Sequence, residues 1–141
     1  MNEQANMQLV EQAYQNVGAG KVESLLNILA TDVQWELPEM PNVPFAGSWK
    51  GREQVEQFFN RMANVQDIVE FQPQEFIAQG DKVVVFGRFT MHVKATGRAS
   101  RSEWAHVWTF KDGSVTHMRE YVDTLAVSQA HAPSHADSQT R

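Results

Sequence analysis

The chain has 141 residues, 42% hydrophobic and 21% charged, which suits one globular domain long enough to bury a real core. Its net charge of −5 contains no block of like charges, which argues against an electrostatic grip on nucleic acid or on an anionic membrane. With no cysteine, disulfides and thiolate metal sites are excluded, and a reducing compartment is accommodated.

The N-terminal third reads as helical. Val10, Ala13, Tyr14 and Val17 recur at the spacing of one helix face, and Gly18 and Gly20 end that helix. Val22, Leu25, Leu26 and Leu29 repeat the pattern as a second, shorter helix. Val33, Trp35 and Leu37 then alternate with Gln34 and Glu36, the period of a short strand. Pro38, Pro41 and Pro44 force an extended loop after it. Trp49 follows, as part of a lid or as a half-exposed residue. Val55, Phe58, Phe59 and Met62 form a third helical stripe that starts just after Gly51. The start of the chain, Met1-Asn2-Glu3-Gln4, lacks the basic and apolar regions of a signal peptide, and no apolar run is long enough to span a bilayer. The expected location is cytoplasmic.

From about Ile68 the period becomes strand-like. Gln79-Gly80-Asp81, Thr96-Gly97-Arg98 and Lys111-Asp112-Gly113 each read as a break between paired strands, giving a four-strand antiparallel meander. Helices first and strands after predict an α+β domain, with three N-terminal helices packed on one face of a curved, mostly antiparallel sheet. The domain is expected over residues 1–125. Residues 126–141, rich in Ser, Ala, Gln and His, are expected to form a disordered tail. His131 and His135 have the i, i+4 spacing a zinc helix uses. Pro133 between them and the lack of further ligands predict no metal there.

The last hairpin, Ser102 to Thr124, carries the chemistry. Trp104, His106, Trp108 and Phe110 share one strand face, so a proton-transfer group sits in an aromatic row. The residues that join it depend on the loop. A three-residue loop with Phe110 opposite Ser114 places Met118 opposite His106 and Glu120 opposite Trp104, with Val122 on the same face. A two-residue Asp112-Gly113 turn brings Arg119, Tyr121 and Asp123 to that face instead. The three-residue loop is preferred, with Asp123 able to turn back toward a pocket mouth from the strand's end. His106 and Glu120 are then the first acid–base candidates and Asp123 the reserve. In the preceding strand Val84, Phe86, Arg88 and Thr90 share a face, so Phe86 is expected in the pocket wall and Arg88 as an inward partner of Glu120. Tyr14, Trp35, Leu37, Phe58, Phe59, Met62, Trp104, Trp108 and Met118 complete the expected lining. No Ser-His-Asp order, phosphate loop, dinucleotide fingerprint or metal cluster stands out, so no cofactor is expected.

Those residues carry a resemblance. Pro44-Phe45-Ala46-Gly47-Ser48-Trp49-Lys50-Gly51-Arg52, Trp104-Ala105-His106-Val107-Trp108 and Arg119-Glu120-Tyr121-Val122-Asp123-Thr124, within Met7 to Leu125, resemble the SnoaL-like branch of the nuclear transport factor 2-like superfamily, relatives of ketosteroid isomerase and the polyketide cyclases. The resemblance implies a cone-shaped fold and a homodimer formed through the outer sheet face. Gly20–Pro38 is similar to the isomerase segment that ends in an aspartate base before a proline. Leu37 stands at that place, which implies that steroid isomerisation is absent. Tyr14 falls near the isomerase's oxyanion tyrosine, and His106 where it has a protonated aspartic acid. The resemblance to SnoaL-type cyclases offers Asp123 and His106 as a catalytic pair. Limonene-epoxide hydrolase of the same fold uses an Asp-Arg-Asp set, of which Arg88 and Glu120 match two, with Thr90 at the third place. The expected function is acid–base chemistry on a small apolar carbonyl or polyketide-like compound. The alternative is binding of a small apolar ligand without chemistry.

Overall fold

The computed structural model describes residues 2–133. Helix α1 spans Glu3–Gly18, and the Asn2 side chain caps it by accepting the Ala5 amide at 2.7 Å. Helix α2 is Val22–Leu26, strand β1 Leu29–Glu36, strand β2 Ser48–Lys50 and helix α3 Gly51–Val65. Four long strands follow: β3 Gln66–Gln79, β4 Lys82–Val93, β5 Ala99–Lys111 and β6 Ser114–Val122. Helix α4, Thr124–His131, closes the order. No helix among the described residues is long and apolar enough to cross a membrane.

The six strands form one sheet in the order β2-β1-β6-β5-β4-β3. The expected meander is β3 to β6, each strand antiparallel to the next. Strand β1 joins it parallel to β6. The α1 stripe of Val10 and Ala13, the α3 residues Val55 and Phe58, and the inner sheet residues Val83, Val85, Trp108, Val115 and Met118 are buried together as one core. The outcome is the predicted α+β cone, with four helices where three are expected.

The last hairpin has the two-residue turn and not the three-residue loop preferred from sequence. Lys111 pairs directly with Ser114, so the turn is the two residues Asp112-Gly113. Both have positive φ, 53° and 82°, the mark of a type I′ turn, whose twist matches paired strands. That turn alone would bring Arg119 inward. A bulge prevents it: Phe110 pairs with Val115 and Thr109 with His117, leaving Thr116 as an extra residue. Beyond the bulge Trp108 opposes Met118, His106 opposes Glu120 and Trp104 opposes Val122. The predicted face is therefore correct, but the partner of His106 is Glu120, not Met118.

Two further expectations are overturned. In β4 the inward face is Val83, Val85, Gly87, Phe89 and Met91, so Phe86 and Arg88 point outward. The outer placement leaves Phe86 40% exposed. Arg88 donates through Nε to the Gln72 side chain at 3.1 Å and stands 3.8 Å from Glu70. The run Val83-Val84-Val85-Phe86 is apolar on both faces, so sequence alternation does not tell inside from outside there. The second correction is the tail, whose first part is α4. Val127, Ser128 and Ala130 are buried. Thr96 Oγ1 donates to the Ala130 carbonyl at 2.7 Å, and Arg98 donates to the carbonyls of Gln129, at 2.9 Å, and Ala132. These donors satisfy the unpaired carbonyls of the helix end and place a cation at the negative pole of its dipole. His131 Nε2 meets Gln66 Oε1 at 2.8 Å, and burial lowers its pKa, so it binds as the neutral imidazole. The rest of the expected tail, residues 134–141 with His135, lies outside the described residues.

Gly87 opposes Trp104 across the β4–β5 ladder. A Cβ at Gly87 would overlap the Trp104 indole and the Gln72 carbonyl. The missing side chain is thus the space in which the tryptophan lies flat on the sheet. Gly87→Ala is expected to lower stability by about 2–3 kcal/mol, the scale of an overpacked core. A fall in the urea midpoint at unchanged denaturant slope is the check, and an unchanged midpoint counts against this packing.

Candidate functional site

The inner sheet face, α1, α3 and the loop after β1 enclose a cavity of about 820 Å³. Its wall is mostly apolar and aromatic. Of the sequence-predicted residues, Tyr14, Trp35, Leu37, Phe58, Phe59, Met62, His106, Trp108, Met118 and Glu120 line it. Sequence reasoning did not assign Phe45, Phe71, Phe76, Phe89 and Val127 to the wall, and all five line it. Phe89 was legible in principle, because Val85 pairs with His106 and the residues of β4 two and four further on share that face. Val127 was hidden in the segment read as a tail.

The polar centre spans three elements. Helix α1 places Tyr14 Oη 2.6 Å from His106 Nδ1 on β5. Trp108, two residues along β5, donates its indole N–H to the same oxygen at 3.1 Å. On β6, Glu120 Oε2 stands 3.5 Å from His106 Nε2. Both imidazole nitrogens thus face a partner from another element.

Hydrogen-bond accounting limits where the protons of the resting site lie. Tyr14 stays a phenol, its pKa pushed well above 10.0 chiefly by burial, with the nearby Glu120 charge adding to the rise and the Trp108 bond opposing it. A phenol oxygen has one proton to donate and two lone pairs. Trp108 uses one lone pair. The 2.6 Å contact is satisfied when the phenol proton goes to Nδ1 and the imidazole proton sits on Nε2, on the side of Glu120. The result is an ordered chain from Trp108 through Tyr14 and His106 to Glu120.

Aromatic faces hold the chain rigid. The His106 ring lies 4.1 Å from the Trp104 ring at 23°, and Trp104 stacks on Phe71 at 4.9 Å and 11°. Tyr14 is parallel to His106 within 6°. Trp104 therefore sits behind His106 as a backing plate and does not itself line the cavity. Trp35, in the wall, meets Trp108 edge-on at 5.7 Å, and its buried indole N–H has no acceptor among the described residues. Trp49 on β2 packs edge-on against Phe58 and donates to the Phe45 carbonyl at 3.1 Å, a brace for the loop.

Asp123 does not join the site. It is the N-cap of α4, accepting the Ala126 amide at 3.0 Å. The sequence Asp-Thr-Leu-Ala after a strand is a helix-start signal, concealed by the expectation of a tail. Arg119 also stays outside, 3.6 Å from Glu36, which accepts from His117 at 2.9 Å.

Comparison with known proteins gives one pattern. A profile described as a SnoaL-like domain matches residues 10–118. No curated protein matches the chain by sequence. Among solved structures, the chain is similar to a nuclear transport factor 2-like protein from Burkholderia xenovorans LB400. That pair is 33% identical, with TM-score 0.85, over 94% of this chain and 99% of that one. A second such protein, of unknown function, from Burkholderia pseudomallei K96243, is 27% identical with TM-score 0.82, over 94% and 100% of the two chains. TerC, co-crystallised with polyporic acid, is 28% identical with TM-score 0.78, over 90% and 98%.

The capping role of Asp123 has a measurable outcome. Asp123→Ala is expected to cost about 1 kcal/mol of stability, the worth of an N-cap. Binding of an apolar dye in the cavity is expected to stay unchanged. A large loss of dye binding at unchanged stability would return Asp123 to the site.

Proposed function

The chain belongs to the SnoaL-like domain family, and on that premise we propose that it performs acid–base chemistry on a small, largely apolar carbonyl compound held in its cone. The observation that carries this reading is the Tyr14–His106–Glu120 chain inside an aromatic cavity. A buried carboxylate and imidazole cost stability in an apolar wall unless function or pairing holds them there. In this reading Glu120 takes a proton from the carbon beside the carbonyl. Tyr14 turns its single proton from His106 Nδ1 to the carbonyl oxygen as the enolate forms. The apolar cavity supports this by keeping water from competing for the developing charge. Leu37 lines the same cavity at the place where the resemblance to ketosteroid isomerase puts the base. The chemistry is thereby assigned to the β5–β6 side of the cone rather than to β1. A cytoplasmic place of action accompanies the proposal, and the absence of cysteine suits it.

The second reading is non-catalytic binding of a small apolar ligand, favoured by the apolar residue at Leu37. A panel of enolisable ketones and polyketide-like diketones separates the two. Wild type is expected to turn over at least one. His106→Ala and Glu120→Gln are expected to lose ~100-fold or more in kcat, the scale of a removed general acid or base. Arg88→Ala, on the outer face, is expected to keep full activity. Ligand-dependent thermal shifts without turnover of any compound would favour the binding reading and overturn the catalytic one.

The same proposal includes a homodimer through the outer sheet face. Phe86, Ala105 and Tyr121 form a cross-strand row there, with Tyr121 51% exposed, and Val84 and Val107 form the next row. An apolar patch of this kind on a sheet face is characteristic of an interface. A dimeric mass at micromolar concentration is expected, reduced to a monomer by Phe86→Lys with Tyr121→Lys. A monomeric wild type sinks this part of the reading.

A further inference from the structure

Four titratable side chains line the cavity among the described residues: Glu11, Tyr14, His106 and Glu120. Glu11 comes from the exposed side of α1, and the other three form the chain already described. No lysine or arginine among the described residues lines the cavity. A ligand that is a fixed anion would enter a space holding carboxylates and no permanent positive charge, at a large desolvation cost. Among the described residues, the one cation the inner wall can make is the imidazolium of His106, and it needs a proton. We infer that the cavity is built for weak acids of the phenol or enol class, which arrive neutral and hand their own proton to His106.

This inference rests on the reading of Tyr14, His106 and Glu120 as the acid–base centre, and the geometry gives it a definite path. With the imidazole proton on Nε2, the Tyr14 oxygen accepts from Trp108 and donates to His106 Nδ1 across 2.6 Å. Its second lone pair is free for a ligand hydroxyl. When the ligand's O–H bond breaks, its proton goes to the Tyr14 oxygen, and the former Tyr14 proton forms the N–H bond at Nδ1. The electron pair of the broken bond stays on the ligand oxygen. Tyr14 now accepts from Trp108 and from Nδ1–H and donates to the ligand oxyanion. Its hydrogen-bonding capacity is full both before and after. His106 becomes a cation between the oxyanion and the Glu120 carboxylate, which faces Nε2 at 3.5 Å. The ligand loses one proton, the imidazole gains one, and no net charge enters the cone. A neutral ketone that enolises in place leaves its proton on Glu120 and not on His106, yet it puts an oxyanion at the same Tyr14 hydroxyl, so the preferred ligand resembles the enolate that the proposed reaction forms.

The probe is para-nitrophenol, whose phenolate is yellow and whose neutral form is not, with para-nitroanisole as a matched neutral compound that has no proton to give. At a pH below the phenol's own pKa, adding wild-type protein is expected to raise the phenolate band, with the nitrophenol bound ~10-fold or more tightly than the nitroanisole. His106→Gln is expected to abolish the band while still binding both compounds. Tyr14→Phe is expected to weaken the band and remove the preference for the phenol. Circular dichroism confirms that each variant is folded, and the wild-type spectrum stands as a test without any variant. Nitrophenol bound in wild type with the spectrum of its neutral form overturns the proton transfer but leaves an apolar cavity and its acid–base centre. Equal affinity for both compounds overturns the ligand class in the same way. Binding of neither compound, alongside no turnover in the ketone panel, overturns this inference and the proposed function together.

Discussion

Tyr14 and His106 are 92 residues apart in the chain and 2.6 Å apart in space. Their bond joins the first helix to the centre of the sheet across an otherwise apolar interior. A phenol and an imidazole buried there without partners would each cost about 1–3 kcal/mol. Folding therefore requires that α1 dock at one rotation and one height on the sheet, because any other leaves both groups unsatisfied. The hydrophobic stripe of α1 gives the docking its strength but little positional precision, since apolar contacts are not directional. The polar chain supplies the precision. Trp104, lying over Gly87 and stacked on His106, removes the remaining freedom of the ring.

The same constraint explains which parts of the structure were readable in advance. The α1 stripe, the α3 stripe and the aromatic row of β5 have clear periodicity, and each occupies the face its period implies. The shared inner face of His106 and Glu120 is also anticipated, although by way of the wrong loop and with Met118 as the residue opposite His106. What escaped reading lies where the period carries no information. In β4 two overlapping apolar rows compete, and Phe86 and Arg88 belong to the outer one. In α4 the buried positions are Val127, Ser128 and Ala130, small side chains that make no hydrophobic stripe. That helix is held by side chains of the β4–β5 connection reaching its backbone carbonyls, a kind of contact with no signature in the helix's own sequence.

The cavity is closed by pieces of different character. The inner sheet face is continuous and heavily bonded, and α1 is fixed by Tyr14. At another part of the wall, Val127 of α4, Gln66 and Phe45 meet around His131, whose ring lies edge-on to Phe45 at 5.6 Å. Burial favours the uncharged form of His131, so this closure is strongest when the imidazole is neutral. The polar centre and the closing helix thus draw on the same side-chain chemistry in opposite ways. His106 lies between two partners able to support a proton, while His131 is placed where a proton is unwelcome.

Thr116, the one extra residue in the bulge, has a consequence that reaches well beyond its own position. Side chains along a strand have only two settings, and everything in β6 past the bulge inherits its setting from that residue. Drawing it into the ladder opposite Thr109, so that the bulge is lost, would exchange Met118, Glu120 and Val122 in the cone for Arg119 and Tyr121. An acidic, proton-accepting wall would become a cationic one, with no change to the residues themselves. The switch is one of local pairing and not of chain length: deleting Thr116 outright leaves a regular ladder with His106 still opposite Glu120. In this architecture that switch of pairing is a route by which a lineage can change the class of molecule its cavity admits in one step, while the helices, the aromatic plate behind His106 and the rest of the cone stay as they are.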